Sequence, residues 1–147
     1  MTTIYLGLGS NLGDREGNIK QALVMLAPDI VVGKISKFYD TEPMYNTEQP
    51  EFLNGAVEAT TELSAEKVLQ KIQSIEKEMG EHEHNQPRVI DIDVLFYGNE
   101  IVQTNELTIP HPNIAERRFV LEPLAEIVPD FVHPVLGVTI AELLKRV

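Results

Sequence analysis

The chain has 147 residues, 43% of them hydrophobic, which is enough for one domain with a substantial core. It contains no cysteine, so disulfides, thiolate zinc sites and a thiol nucleophile are excluded. A net charge of -11 argues against a nucleic-acid or anionic-membrane surface, because nothing would neutralise the phosphates. A small phosphate ligand remains compatible with this charge, since acidic residues are what Mg²⁺ requires.

The hydropathy pattern gives no sign of secretion or membrane insertion. The stretch "MTTIYLGLGSN" lacks a basic region followed by a long apolar run, and no apolar stretch approaches the ~20 residues needed to cross a bilayer. The absence of cysteine fits a reducing compartment. We therefore expect a soluble cytoplasmic protein with a single domain over residues 1–147, acting as a monomer.

The first half of the sequence predicts a strand, a helix and two more strands. The segment "TTIYLGLGSN" is typical of a strand, and its glycines indicate backbone that turns or approaches something closely. A helix follows over "DREGNIKQALVMLAP", with Asp14 as its N-cap and Pro28 as its stop. The segments "DIVVGKISKFYDTEP" and "EFLNGAVEATTEL" predict two further strands, separated by the loop "PMYNTEQP".

The second half predicts a helix from Ser64 to Gly80 and then the strand "PRVIDIDVLFYGN". The resulting order β-α-β-β-α-β is that of a ferredoxin-like fold, an antiparallel sheet with two helices on one face. The rest is a C-terminal extension, with a short strand or bend at "NEIV", a tight "IPHP", a helical "LEPLAEIV" and a final helix capped by Thr139 and Glu142. We expect this extension to cover the open face or one end of the sheet.

The strand "PRVIDIDVLFYGN" carries two aspartates on one face. Because strand side chains alternate, Asp91 and Asp93 point away from the apolar set that we expect to pack on the helices. Two carboxylates on a shared face repel unless a cation or hydrogen-bond donors separate them. The alternative is an edge strand with a wet face. The acids share their face with Val89 and Leu95, and the opposite face carries Ile90, Ile92, Val94 and Phe96.

Two further groups could bind a flat ligand and a phosphate. Phe52 and Asn54 share a strand face and suit a flat, hydrogen-bonding heterocycle, although they could also be a core ring and a turn cap. His111 and Arg117 could clamp a phosphate, or belong to a rigid surface turn. Cations beside a D-x-D pair are what phosphoryl transfer from a metal-bound nucleotide requires. The sequence has neither a P-loop nor a G-x-G-x-x-G motif.

These fragments occur together, in order, in one known family. The segments "GLGSNLGDR", "SKFYDTEP", "QPEFLNGAV", "IEKEMG", "PRVIDIDVLFYGNE" and "LTIPHPNIAERRFVLEPLAEI" resemble 6-hydroxymethyl-7,8-dihydropterin pyrophosphokinase of the folate pathway. The likeness covers nearly the whole chain. It implies transfer of the β,γ-diphosphate of ATP to the hydroxymethyl oxygen of the dihydropterin, with release of AMP.

The resemblance also implies a role for individual residues. Asp91 and Asp93 resemble the ligands of two Mg²⁺ ions that bridge the triphosphate, with Arg88 as a catalytic cation nearby. The positions that resemble the pterin site are Phe52 and Phe119, which would sandwich the ring, and Thr41, Met44 and Asn54, which would form its hydrogen-bonding edge. Those that resemble ATP contacts are Leu69, Gln73, Glu76 and Val94 around the adenosine, Thr108 at the sugar, and Arg88, His111 and Arg117 at the phosphates.

The loop before the aspartate strand departs from the family pattern. Relatives commonly have arginines and then Trp-Gly-Pro-Arg after the helix glycine, whereas this chain has "GEHEHNQPR". Glu81 stands where an arginine is usual, and Asn85 and Gln86 replace the Trp and Gly. We expect slower catalysis than in arginine-bearing relatives, because fewer cations stabilise the charge that develops in the reaction. His82 and His84 could supply charge or bind a metal, or simply lie in a solvated loop.

Three functions follow from these patterns. The first is the pyrophosphokinase with ATP and the dihydropterin as substrates. The second is a pterin- or nucleotide-binding module of the same fold with weakened catalysis, which the altered loop suggests. The third is a ferredoxin-like interaction domain without a metal, in which the two aspartates would not affect ligand binding.

Overall fold

The computed structural model describes residues 1–41, 51–80 and 89–147. The predicted β-α-β-β-α-β order and the helical extension are confirmed within them. The strands are β1 Thr2–Ser10, β2 Ile30–Ile35, β3 Tyr39–Thr41, β4 Phe52–Thr61, β5 Asp91–Tyr97, β6 Val102–Gln103 and β7 Thr108–Ile109. The helices are α1 Arg15–Leu26, α2 Ala65–Met79, α3 Arg118–Ile127 and α4 Ile140–Arg146, with a short 3-10 helix at Ile114–Glu116.

The main sheet has the order β2-β4-β1-β5, with antiparallel neighbours throughout. The predicted second strand is divided into β2 and β3, which both pair with β4. Ser36 lies at the division, where its Oγ accepts a hydrogen bond from the Ala56 amide at 2.9 Å. The Ser36 hydroxyl thus replaces a backbone carbonyl as the acceptor for the Ala56 amide, and the strand is interrupted there.

The helix ends follow the capping signals in the sequence. Asp14 Oδ1 accepts from the Gly17 amide at 3.1 Å, and Ser64 Oγ accepts from the Lys67 amide at 3.3 Å. Thr139 Oγ1 accepts from the Glu142 amide at 3.1 Å. Helix α2 ends at Gly80. Its φ of 135° is a backbone conformation that residues other than glycine rarely adopt. None of the described helices is both long and apolar enough to cross a membrane.

The sheet is buried on two sides by different layers. Helices α1 and α2 pack on one face and form the helix-side core, which includes Ile19, Ile72, Ile90, Ile92 and Val94. The C-terminal extension packs on the other face and forms the extension-side core. Its members on β5 are Leu95 and Phe96, and its members on α3 and α4 include Leu121, Leu124, Ile140 and Leu143.

The prediction that Phe96 faces the helices is wrong. Leu6 of β1 lies opposite Val94, but Tyr5 lies opposite Phe96, so the register shifts by one residue and Leu95 has no partner on β1. Such a bulge places two successive side chains on the same side of a strand. Leu95 and Phe96 therefore both enter the extension-side core, and Tyr97 returns to the helix-side core.

Candidate active site

The two aspartates lie on a face shared with the central strands. Asp91 is directly opposite Gly9 of β1, and Gly9 is directly opposite Asn54 of β4. Side chains of directly opposed residues point to the same face of a sheet. Asp93 is likewise opposite Gly7, one row nearer the extension. The acids and the amide therefore flank a strip of β1 in which glycine leaves the surface clear.

Asn54 lies across the space that Gly9 provides. A Cβ atom on Gly9 would be 2.6 Å from Asn54 Oδ1, which is closer than any real contact of that kind. Asn54 Nδ2 donates a hydrogen bond to Thr41 Oγ1, and Thr41 is directly opposite Phe52. The structure thus brings together Thr41, Phe52 and Asn54. The alternative in which Asn54 caps a turn is wrong, because it lies inside β4.

Arg117 and Phe119 lie at the start of α3. The Arg117 Cζ atom is 5.7 Å from the centre of the Phe119 ring, within the range of a cation–π interaction. Phe119 is partly buried against the extension-side core, which leaves part of its ring accessible. Its stacking against a ligand from the side opposite Phe52 stays a prediction.

His111 is influenced by both Asp91 and Arg117. Its backbone amide donates to the Leu95 carbonyl at 3.1 Å, which attaches the segment after β7 to the aspartate strand. Its Nδ1 accepts from the Asn113 amide at 3.3 Å, so the neutral imidazole has its proton on Nε2 and can donate to a ligand. Burial and the Arg117 guanidinium lower the pKa of His111, whereas the Asp91 carboxylate opposes this shift. His111 is thus within electrostatic reach of both partners.

A groove lies beside the polar edge of α2. It has a volume of about 320 Å³, and Leu69 and Gln73 line it together with the loop between β6 and β7. Thr108 begins β7 directly after that loop. These three predicted ATP contacts therefore lie close together in the fold. Val94 is only 6% exposed and belongs to the helix-side core, so little of its surface is accessible to a nucleotide.

Glu76 has a contact that the sequence did not predict. Its Oε2 accepts a hydrogen bond at 2.9 Å from the amide of Ile92, the residue between the two aspartates. Since β5 is at the edge of the sheet, this bond satisfies an outward-facing amide of the aspartate strand. Only the packing of α2 against β5 makes this pairing, and no local sequence signal could have indicated it.

The aspartates suit a magnesium ion. Mg²⁺ prefers oxygen ligands and is usually held by one or two carboxylates together with substrate phosphates and water. Asp91 and Asp93 supply two such carboxylates at the partly exposed end of β5. The described segments contain no group of three or more metal-ligating side chains, as a metal site made wholly of protein would require. The predicted residues Met44 and Arg88, and the loop residues 81–87, lie outside the described part of the chain.

Most of the chain matches a known protein family. The model for 7,8-dihydro-6-hydroxymethylpterin-pyrophosphokinase (HPPK) matches residues 5–129. The chain belongs to the HPPK family. Within this HPPK match lie all the predicted site residues, from Thr41 to Phe119.

Relatives support HPPK membership, and solved structures share the fold. The 2-amino-4-hydroxy-6-hydroxymethyldihydropteridine pyrophosphokinase of Aquifex aeolicus is 42% identical over 137 residues, covering 92% of this chain and 86% of that protein. The folic acid synthesis protein fol1 of Pneumocystis carinii is 42% identical over 147 residues, covering 98% of this chain but 20% of that protein. The chain thus spans about a fifth of the length of such larger relatives. Wild-type HPPK-DHPS of Plasmodium falciparum, solved with pteroate, shares the fold with a TM-score of 0.82 at 17% identity, covering 99% of this chain and 42% of that one.

Proposed function

We propose that this chain transfers the diphosphate of ATP to 6-hydroxymethyl-7,8-dihydropterin. The observation that supports this proposal best is the row Asp91, Gly9 and Asn54 across three neighbouring strands. It puts a pair of proposed metal-binding acids on β5 and an amide with donors and an acceptor on β4, with only the glycine strip of β1 between them. The relatives named as this pyrophosphokinase in Aquifex aeolicus and Bacillus subtilis support the same assignment.

The pterin would bind on the face of β4 and β3. Asn54 offers an amide edge next to Thr41, and Phe52 offers a ring on the same face two residues away. Phe119 of α3 is the second stacking ring in this proposal, and Met44 contributes backbone groups. Stacking needs the flat ring rather than a hydroxyl group, so phenylalanine is sufficient at position 52.

The reaction would take place beside the aspartates. The hydroxymethyl oxygen forms a bond to the β-phosphorus, the bond from that phosphorus to the oxygen bridging it to the α-phosphorus breaks, and AMP leaves with that oxygen. The hydroxyl proton is released. Asp91 and Asp93 would hold Mg²⁺, two ions in our proposal, and the metal would neutralise phosphate charge when bound. His111 would donate from Nε2 of its neutral ring to a phosphate oxygen, and Arg117 and Arg88 would be the cations.

The adenosine would lie along the groove between α2 and the loop after β6. Leu69 offers apolar surface there and Gln73 an amide, while Thr108 is placed for the sugar. Glu76 and Val94 complete the proposed contacts, Glu76 with one carboxylate oxygen already bonded to the Ile92 amide. We place the reaction in the cytoplasm, with the cysteine-free composition as support.

Nucleotide analysis tests the proposal. The chain is incubated with ATP, Mg²⁺ and 6-hydroxymethyl-7,8-dihydropterin, and AMP and the pterin diphosphate should form in equal amounts. Omission of the pterin or addition of EDTA should abolish both products. ADP as the nucleotide product would contradict the proposal. Calorimetric binding of the pterin and a non-hydrolysable ATP analogue, without any AMP, would instead favour the binding module.

The departure of the loop 81–87 from the family pattern leads to a second, quantitative expectation. Removal of one well-placed donor can reduce a rate by ~10² to 10³, and Glu81 stands where relatives commonly have an arginine. We propose that the single-turnover rate is below that of an arginine-bearing relative under identical conditions. Equal rates would contradict this. Glu81→Arg should raise the rate, whereas Glu62→Arg, which makes the same charge change at an exposed position outside the loop, should not.

A further inference from the structure

The last turn of α3 is bonded to β2, to β3 and to the segment between them. The Glu126 carboxylate accepts from the Lys37 amide, with Oε1 at 3.2 Å and Oε2 at 3.0 Å. Glu126 Oε1 also accepts from the Tyr39 hydroxyl at 2.5 Å. The Ile127 carbonyl accepts from Lys34 Nζ at 3.5 Å. We call the bonds of Glu126 to Lys37 and Tyr39 the α3 tie.

The α3 tie is at the surface, so folding stability is a poor explanation for it. Glu126 is exposed and Tyr39 only partly buried. Hydrogen bonds and charges at such positions add little to the free energy of unfolding, because water competes for the same groups. The tie nevertheless fixes three donor–acceptor distances between α3 and the segment 37–39, which are far apart in the sequence. Its effect is therefore mainly on geometry.

The tie connects the two sides of the proposed pterin site. Phe119 and Glu126 are seven residues apart on α3, so they lie on the same side of the helix about two turns, or ~10 Å, apart. Tyr39 is directly opposite Asn54 and lies two residues before Thr41, whose Oγ1 accepts from that amide. The first turn of α3 thus carries Phe119, the proposed stacking ring. The last turn of α3 is attached to β3, which carries Thr41 of the proposed hydrogen-bonding edge.

We propose that Glu126 is a positioning residue for the pterin substrate, an inference that rests on the proposed function. Glu126 acts through Lys37 and Tyr39. By holding β3 against α3, it keeps Thr41 beside Asn54 and keeps this edge at a fixed distance from Phe119. The groove of Leu69 and Gln73 is formed by other elements. Arg117, the proposed phosphate contact before α3, donates its amide to the Ile114 carbonyl at 3.2 Å, at the end of the helix away from Glu126. Binding of ATP therefore does not depend on the tie in this proposal.

Steady-state kinetics of substituted chains test this role. Glu126→Ala should raise the KM for the pterin about three- to fivefold, because the lost bonds are exposed and each contributes only modestly. The KM for ATP, and kcat at saturating pterin, should change less than twofold. Glu126→Gln should recover most of the loss, since its amide oxygen still accepts from both donors. Tyr39→Phe should raise the pterin KM by a smaller factor than Glu126→Ala, because the Lys37 bonds remain.

The chain offers matched controls. Tyr5 donates to Glu58 Oε2 at 3.1 Å, a second tyrosine–glutamate bond that is not part of the tie. Tyr5→Phe should leave the KM for the pterin unchanged. Glu142 is an exposed-surface acid of α4 that pairs with Arg146 at 3.5 Å, and Glu142→Ala serves as the control for loss of a helix carboxylate in the extension. Urea unfolding of each variant shows whether the fold is retained.

Three outcomes would overturn the proposal. The first is a wild-type pterin KM in Glu126→Ala, and the second is an equal rise in the KM values of pterin and ATP. The third is a Tyr39→Phe/Glu126→Ala double variant whose loss is the product of the two single losses, because residues that act through one network are not additive. A wild-type chain that forms no AMP refutes the proposed function, and pterin affinity by calorimetry then tests Glu126 separately. A wild-type chain that also fails to bind pterin overturns both.

Discussion

The two halves of strand β5 differ in what covers them. In the first half, Asp91 and Asp93 lie on a partly exposed face, and Ile92 and Val94 point into the helix-side core. In the second half, Leu95 and Phe96 are fully buried under the extension. The bulge at Leu95 separates the halves, since it ends the alternation that the first half follows.

The proposed chemistry therefore lies in the first half of β5, and the second half contributes buried apolar surface to the extension-side core. The extension covers only the part of the face beyond the acids, and there it adds a second core. The acids are held by β1 on one side and by the bond from the Ile92 amide to Glu76 on the other. Among the described residues, the two acids are thus supported from both sides while their own face stays partly exposed.

The largest expected effect is on catalysis in the first half. Asp93→Ala should reduce AMP formation by at least ~10²-fold if the proposed function holds, because a proposed ligand of the metal is lost. The urea midpoint should stay the same or rise, since one of two neighbouring carboxylates is removed. Asp130→Ala, at an exposed position outside the site, should change neither quantity. Wild-type activity in Asp93→Ala would refute the metal assignment.

A substitution in the second half of β5 should lower stability and leave catalysis nearly unchanged. Phe96 is 0% exposed and packs against the rings of Tyr5, Phe131 and His133. Phe96→Ala should lower the free energy of unfolding by about 3–5 kcal/mol, because it leaves a cavity in the extension-side core. Urea unfolding measures this loss, and kcat per folded molecule should stay within about twofold. Normal stability with lost activity would remove the contrast between the halves.

Two glycines of β1, Gly9 opposite Asp91 and Gly7 opposite Asp93, extend the comparison to the neighbouring strand. Gly9→Ala would push its methyl group against Asn54 Oδ1 and should raise the pterin KM about five- to tenfold, roughly one lost hydrogen bond. Gly7→Ala is the matched control, because its methyl group would meet Leu95 at an ordinary 3.6 Å. Its effect on the pterin KM should be clearly smaller. Equal effects would show that Asn54 is not what Gly9 accommodates.

The smallest expected effect is a pH dependence of the free energy of unfolding, which arises in the extension-side core around Phe96. His133 is buried beside Phe96, and its Nδ1 accepts from the Val135 and Leu136 amides at 3.1 Å each. Burial lowers the pKa of His133 below its ordinary 6.5, so the folded state favours the neutral ring. Its stabilising contribution is complete above pH 6.5 and is lost as the pH falls through the lowered pKa.

Urea unfolding between pH 7.5 and pH 5 checks this sign. The free energy of unfolding should decrease toward acid, and His133→Asn should flatten that slope while keeping an acceptor for the following amides. Some slope should remain, because the pKa of His111 is lowered as well. An unchanged slope in His133→Asn would contradict the assignment.

Local patterns in the sequence were enough to predict most of the elements. The caps at Asp14, Ser64 and Thr139 were predicted because a helix N-terminus is determined by a few neighbouring residues. The shared face of Asp91 and Asp93 followed from strand alternation. The shared face of Phe52 and Asn54 also followed from strand alternation and favoured a flat ligand, and both residues lie on β4. The family resemblance added that this ligand is a pterin.

The tertiary structure decided whatever depends on contacts between distant segments. The bulge that moves Phe96 to the extension-side core arises from the pairing of β5 with β1, and Ser36 divides the predicted second strand through a bond to Ala56. Glu126 meets Tyr39 only because α3 packs across the sheet. Spacing along the chain determines which way a side chain points within its own element. Which partner it meets depends on how the elements pack, and so only the folded chain shows it.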